Sequence, residues 1–60
     1  MKYKKGDTFE KGGCLWVVDN VYVTDNPDLY YKDRMTIRCI RSCPSNNIYQ
    51  VGDVLDYANV

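Results

Sequence analysis

The chain has 60 residues and no net charge, and 45% of its residues are apolar and 13% aromatic. A chain this short forms one domain and is too small for a second core. It buries only about 60% of the surface that its unfolded chain exposes. Its longest apolar run, residues 15–18, is too short to cross a bilayer, and no apolar signal region follows the basic first residues. We therefore expect no membrane segment and a cytoplasmic location.

Glycine–aspartate pairs at residues 6–7 and 52–53 predict two tight turns, each followed at once by residues that favour strands. Before the first turn, residues 2–5 are predicted to form a short lead strand. After it we expect a strand over residues 8–10, a hairpin turn at Lys11-Gly12-Gly13 and a long strand over residues 14–23. The apolar positions of the long strand change phase at Asp19-Asn20, which predicts a β-bulge there.

The second half of the chain begins with a loop over residues 24–29, where Asp, Asn and Pro occur together. Alternatively, residues 26–32 form a short helical turn, because proline suits a first helical position. Residues 35–41 alternate between two faces and predict a strand. We then expect, in chain order, a second loop over 42–47, a short strand over 48–51, a strand over 54–57 and a frayed tail over 58–60.

Apart from the short lead strand, these segments make about five short strands at even spacing, which predict an all-β fold: either a small five-stranded SH3-like barrel or a strongly twisted antiparallel sheet. The order of turns is similar to that of SH3-like barrels, with no motif of that group matched residue by residue. The predicted core contains aromatic, aliphatic and sulfur-bearing side chains: Phe9, Trp16, Val18, Val21, Val23, Met35, Ile37, Cys39, Val51, Val54 and Leu55.

The cysteines are Cys14, Cys39 and Cys43, an odd number that is typical of a reducing compartment. In an extended strand Cys39 and Cys43 lie about 13 Å apart, so they could form a disulfide only across a turn. Pairing of Cys14 with Cys39 across neighbouring strands is easier, but we expect all three to be reduced. Because structural zinc prefers four Cys or His ligands, we predict no metal and no cofactor.

The absence of histidine removes the commonest general base and the usual activator of a nucleophile. The segment Lys11-Gly12-Gly13 does not match the glycine-rich loop that binds nucleotide phosphates. We therefore expect no enzymatic activity.

Six tyrosines are more than a core of this size absorbs, and two of them follow an aspartate-rich loop. This pattern predicts a protein-binding module that acts through residues 24–33, against a basic surface of a partner of unknown identity. Such miniature domains are typical of accessory proteins of phages and mobile elements that bind or inhibit a host protein. The predicted contact residues are Asp25, Asp28, Tyr30, Tyr31, Asp33, Tyr22 and Tyr49.

The alternative prediction is a nucleic-acid-binding barrel, in which basic and aromatic residues share one face of the sheet. Zero net charge argues against it, because most non-specific nucleic-acid binders use a bulk attraction to phosphate. An exposed edge strand can also pair with the edge strand of a second copy, so a homodimer is a further alternative. The basic residues assigned to the nucleic-acid surface are Lys2, Lys4, Lys5, Arg34 and Arg38.

Overall fold

The computed structural model describes residues 1–42 and 48–60. Over these ranges the chain is all-β, with four antiparallel strands that follow one another in a single open sheet. The strands are β1 (Thr8–Lys11), β2 (Cys14–Val23), β3 (Asp33–Ser42) and β4 (Val54–Ala58), and their order in the sheet is their order in the chain. In the described part of the chain, we find no helix with the length and apolar character needed to cross a membrane.

The long hairpin of β2 and β3 forms the centre of the sheet. Trp16 lies opposite Cys39, so the apolar positions of the two strands share one face. The register shifts by one residue after Val18, and Val21 then lies opposite Met35 on that same face. The predicted bulge is therefore confirmed, and it keeps both halves of β2 turned toward the same core.

The core lies on one side of the sheet, called here the core face, and the opposite side is called the outer face. The indole N–H of Trp16 donates to the Lys11 carbonyl (3.0 Å), so the ring is buried with its donor satisfied. Half-buried residues pack around the centre of the core: Tyr3, Phe9, Val21, Tyr49 and Leu55. The buried apolar centre consists of Cys14, Trp16, Val18, Met35, Ile37 and Cys39.

Three valines that were predicted in the core are exposed instead. Val23, the last residue of β2, is 68% exposed, and Val51, which occupies a turn, is 65% exposed. Side chains alternate along β4, and Leu55 points to the core face opposite Ile37, so its neighbour Val54 lies on the outer face. High strand propensity predicted these three residues to be in strands, but it does not show that Val23 ends its strand, that Val51 lies in a turn or that Val54 faces outward.

The predictions of five strands and of a barrel were wrong. Residues 2–5 and 48–51 form no strand, because the end of each segment is part of a tight turn. With four strands in the described ranges the sheet stays open. Its two edges nevertheless approach each other over the core face, where Lys11 Nζ of β1 lies 5.0 Å from the ring centroid of Tyr57 of β4. The antiparallel sheet is the alternative that agrees with the structure.

The two Gly–Asp turns have the same geometry at opposite edges of the sheet. In each, the aspartate amide donates to the carbonyl three residues earlier (3.0 Å), and the aspartate carboxylate accepts from the amide of that earlier residue (2.9 Å). Gly6 (φ 94°) and Gly52 (φ 97°) occupy the third position, as a type II turn requires. Each turn also hydrogen-bonds to the adjacent inner strand, the first at Val18 and the second at Cys39.

We expect Gly6→Ala and Gly52→Ala to destabilise the fold by similar amounts, about 1 kcal/mol each. No atom lies within 4 Å of a Cβ built at either position, so the cost comes from the positive φ alone. Urea unfolding of the two variants, with Val51→Ala as the control within the second turn, measures the effect. A loss at only one glycine, or none at either, would contradict the equivalence of the two turns.

The last residues do not form the frayed tail that was predicted. Ala58 ends β4, and Asn59 is only 1% exposed. The Asn59 backbone amide donates to the Asp33 carbonyl (2.9 Å). Its side chain binds the backbone of Tyr3 twice: Oδ1 accepts from the amide (2.8 Å), and Nδ2 donates to the carbonyl (3.0 Å). One buried residue thus joins the N-terminal segment, through its side chain, and β3, through its backbone amide.

Cys14 and Cys39 lie in the core as thiols, with no disulfide between them. Burial, followed by the neighbouring Cys14 thiol, raises the pKa of Cys39 above its ordinary value, which keeps the Cys39 thiol protonated. The predicted loop over 42–47 is only partly described: Ser42 belongs to β3, whereas Cys43 and residues 44–47 lie outside the described residues.

Candidate protein-binding surface

The connection between β2 and β3, residues 24–32, is held together by its own hydrogen bonds. Its two ends join where the Thr24 amide donates to the Lys32 carbonyl (2.9 Å). Within the loop, Thr24 Oγ1 accepts from the Asn26 amide (3.2 Å), and Asn26 Oδ1 accepts from the Asp28 amide (3.0 Å). These are the local side-chain-to-backbone bonds that Thr and Asn favour in turns. The predicted loop is confirmed.

The alternative prediction of a helical turn was wrong. The Leu29 amide donates to the Asn26 carbonyl (3.2 Å), which closes one β-turn, and residues 29–32 form no helix before β3 begins. Asn26 precedes Pro27, and the proline ring disfavours helical backbone at the residue before it. The Asn26 and Leu29 carbonyls accept from the Lys32 ammonium rather than from amides four residues later, so no helix continues from the turn.

Lys32 fixes the shape of this loop. Its ammonium group donates to the Asn26 carbonyl (2.6 Å), which also accepts the hydrogen bond of the β-turn, and to the Leu29 carbonyl (2.7 Å). Both are short, charge-assisted hydrogen bonds. No sequence pattern indicates this role, because a lysine next to an acidic loop is equally well explained by surface charge.

We expect Lys32→Met to loosen the loop without unfolding the sheet. Removal of the ammonium group leaves two carbonyls without their charged donor, so protection of the Thr24 and Leu29 amides from hydrogen exchange should fall about tenfold. Lys5→Met is the matched control, because Lys5 is exposed and lies in the first Gly–Asp turn. Unchanged exchange at both amides would show that the loop holds its shape without Lys32.

Tyr30 and Tyr31 form the exposed aromatic part of the loop. Tyr30 is 88% exposed and Tyr31 is 48% exposed, and their rings meet edge to face with centroids 4.9 Å apart. The carboxylates of Asp25 and Asp28 are exposed on the same loop, and neither forms an ion pair with any residue in the described ranges. The predicted aromatic and acidic residues of the loop are therefore brought together at one end of the sheet.

Two further predicted contact residues lie at this end but are held by other parts of the protein. The Asp33 carboxylate lies 3.9 Å from the Met1 amino group, and the Asp33 carbonyl accepts from the Asn59 amide. The Tyr22 hydroxyl donates to Asp56 Oδ1 (2.6 Å) on the outer face. This hydrogen bond, followed by burial and the Asp56 charge, raises the pKa of Tyr22 above its ordinary value.

Tyr49 does not belong to this surface, and its predicted exposure was wrong. The Tyr49 ring packs edge to face on Trp16 with centroids 5.2 Å apart, and its ring atoms lie within 4.0 Å of a Cβ built at Gly12. Gly12 lies in the β1–β2 turn, and Cys14 begins β2, whereas the β2–β3 loop follows the other end of that strand. Tyr49 therefore helps to cover the core at the opposite end of the sheet.

The basic residues of the nucleic-acid alternative are divided and partly neutralised. Arg34 and Arg38 share the outer face as predicted, but Arg34 Nη2 lies 3.4 Å from Asp56 Oδ2, and Arg38 Nε donates to Asp19 Oδ2 (2.9 Å). The N-terminal segment, with its exposed lysines, is held by contacts of Tyr3 with the core face. The lysines of this segment are Lys2, Lys4 and Lys5.

In the part of the chain that the structure describes, no three residues of the metal-binding types are grouped to hold an ion. Comparison of the chain with protein-family models, with curated proteins and with solved structures gave no match.

Proposed function

We propose that this chain is a small, cytoplasmic, non-enzymatic protein-binding module that contacts its partner through the β2–β3 loop. The observation that carries the proposal is the exposed Tyr30–Tyr31 pair on a loop whose backbone is hydrogen-bonded to itself. Tyrosine rings offer a large contact area at low entropic cost, and they are enriched in the centres of protein interfaces.

The internal bonding of the loop supports this proposal because ordering a flexible segment opposes binding. Six hydrogen bonds already hold the loop: one between its ends, one in the β-turn, two from the Lys32 ammonium, and one each to the side-chain oxygens of Thr24 and Asn26. A partner that docks on the tyrosines therefore meets a surface whose shape is set in advance, which reduces the ordering cost.

The charge of the loop supports a partner with a basic surface. Asp25 and Asp28 are exposed, and the nearest lysine along the chain, Lys32, donates its N–H groups to loop carbonyls rather than to those carboxylates. A basic partner surface would be attracted at long range and would gain ion pairs at the rim of the contact. In this proposal the chain acts as an accessory protein that covers part of its partner's surface and thereby inhibits the partner.

Nucleic-acid binding is less well supported, because Arg34 and Arg38 each lie beside an aspartate. Phosphate would have to replace Asp56 and Asp19 as the partner of these guanidinium groups. Retention on heparin at low salt that is lost in an Arg34→Ala, Arg38→Ala variant would favour that alternative over the loop.

Affinity capture from source cells, followed by mass spectrometry, tests the proposal. The bait is the full chain in three forms: wild type, the Tyr30→Ala, Tyr31→Ala double variant, and Val51→Ala as an exposed apolar control in the second Gly–Asp turn. We expect one protein to be retained by wild type and Val51→Ala and lost from the double variant. Equal retention by all three baits would overturn the assignment to the loop.

A further inference from the structure

A second feature, separate from the loop, is a cavity of about 320 Å³ on the core face between the two edges of the sheet. Its aromatic walls come from three parts of the chain: Tyr3 in the N-terminal segment, Phe9 in β1 and Tyr57 in β4. The rings of Tyr3 and Phe9 lie 4.9 Å apart at an interplanar angle of 31°. Ala58 and Val60 also border the cavity, so most of its lining is apolar.

One positive charge lies in this cavity. Lys11 is on the core face of β1, opposite Cys14, and its ammonium group lies 5.0 Å from the centroid of the Tyr57 ring. Across residues 1–42 and 48–60, no carboxylate forms an ion pair with Lys11. Glu10 also borders the cavity, but side chains alternate along β1, and Glu10 pairs with Leu15 rather than with a core-face residue.

We propose that this cavity binds a small planar anion, an aromatic carboxylate, with its ring between the aromatic walls and its carboxylate on Lys11. Aromatic side chains stack on a planar ligand, and a single placed charge gives it orientation, which is the usual arrangement of small-molecule sites. The volume suits a ligand of one or two fused rings, at the small end of the range for such sites. Lys11 would then exchange a cation–π contact with Tyr57 for an ion pair with the ligand.

Titration of the ¹⁵N-labelled full chain with 2-naphthoate, followed by amide NMR shifts, tests this proposal. We expect saturable shifts concentrated at Phe9, Lys11, Tyr57 and Ala58. The neutral analogue 2-naphthalenemethanol should bind about fivefold more weakly, because it lacks the charge that pairs with Lys11. Lys11→Gln should weaken 2-naphthoate binding by a similar factor.

Lys5→Gln is the matched control, since it removes the same charge from an exposed turn and should leave the affinity for 2-naphthoate unchanged. The unperturbed remainder of the amide spectrum verifies that each variant is folded. Three results would each overturn the proposal: no saturable shift, shifts scattered away from the cavity, or equal binding of 2-naphthoate by wild type and Lys11→Gln. None of these results depends on the outcome at the β2–β3 loop.

Discussion

Asn59→Ala is expected to destabilise the fold by about 3 kcal/mol, because a backbone group left buried without its partner costs about 1–3 kcal/mol. The variant removes both side-chain hydrogen bonds to Tyr3, so the Tyr3 amide and carbonyl lose their partners together. At about 0.05–0.15 kcal/mol per residue, 60 residues give a total stability of roughly 3–9 kcal/mol. The loss is therefore a large share of the total, and urea or thermal unfolding will measure it.

Asn20→Ala is the matched control, because it makes the same chemical change at an exposed position of β2. We expect that control to change stability by less than about 0.5 kcal/mol. If Asn59→Ala lost no more stability than Asn20→Ala, the N-terminal segment would not depend on the Asn59 side chain for its position on the core face.

The strands that were predicted well are determined by local sequence. The Gly12-Gly13 turn and the alternation of Met35, Ile37 and Cys39 are signals of short range, and they place β1, β2 and β3 nearly at their observed bounds. The change of apolar phase in β2 likewise predicted a bulge that the register shift confirms. Each of these features is determined by residues only a few positions apart.

The errors concern choices that depend on distant residues. Nothing near residue 59 indicates that an asparagine there binds the backbone of Tyr3, 56 positions away in the chain. Similarly, Val51 and Val54 have strand propensity, but a turn and the alternation of β4 place both in solvent. The barrel was predicted from the number of strand-like segments, and two of those segments end in hydrogen-bonded turns instead.

At the candidate surface too, the predictions that local sequence supports were right, and those that depend on distant contacts were wrong or missing. Tyr30 and Tyr31 were predicted to be exposed because they follow a loop, and the structure places both in solvent. Tyr49 also follows a stretch with loop composition, but it packs on Trp16, a contact across the fold that composition does not reveal. The Lys32 hydrogen bonds require the loop to fold back on itself, which no single residue of the loop signals.

The Tyr30→Ala, Tyr31→Ala double variant is expected to bind its captured partner about 30-fold more weakly, the size of effect seen when an interface loses a central aromatic contact. Its own stability should change by less than about 0.5 kcal/mol, because Tyr30 and much of Tyr31 are in solvent already. The two single variants should not be additive, since the rings touch each other and removal of one changes the position of the other. Calorimetric titration of the purified partner measures all three affinities.

Two further variants separate the parts of this contact. Replacing both tyrosines with phenylalanine keeps the rings and should retain most of the affinity if ring area dominates. Asp25→Asn, Asp28→Asn removes the exposed carboxylates, and it should slow association and reduce the dependence of binding on salt more than it speeds dissociation. If the alanine double variant bound as tightly as wild type, while the asparagine variant lost binding, the contact would be electrostatic, and the exposed tyrosine pair would need another explanation.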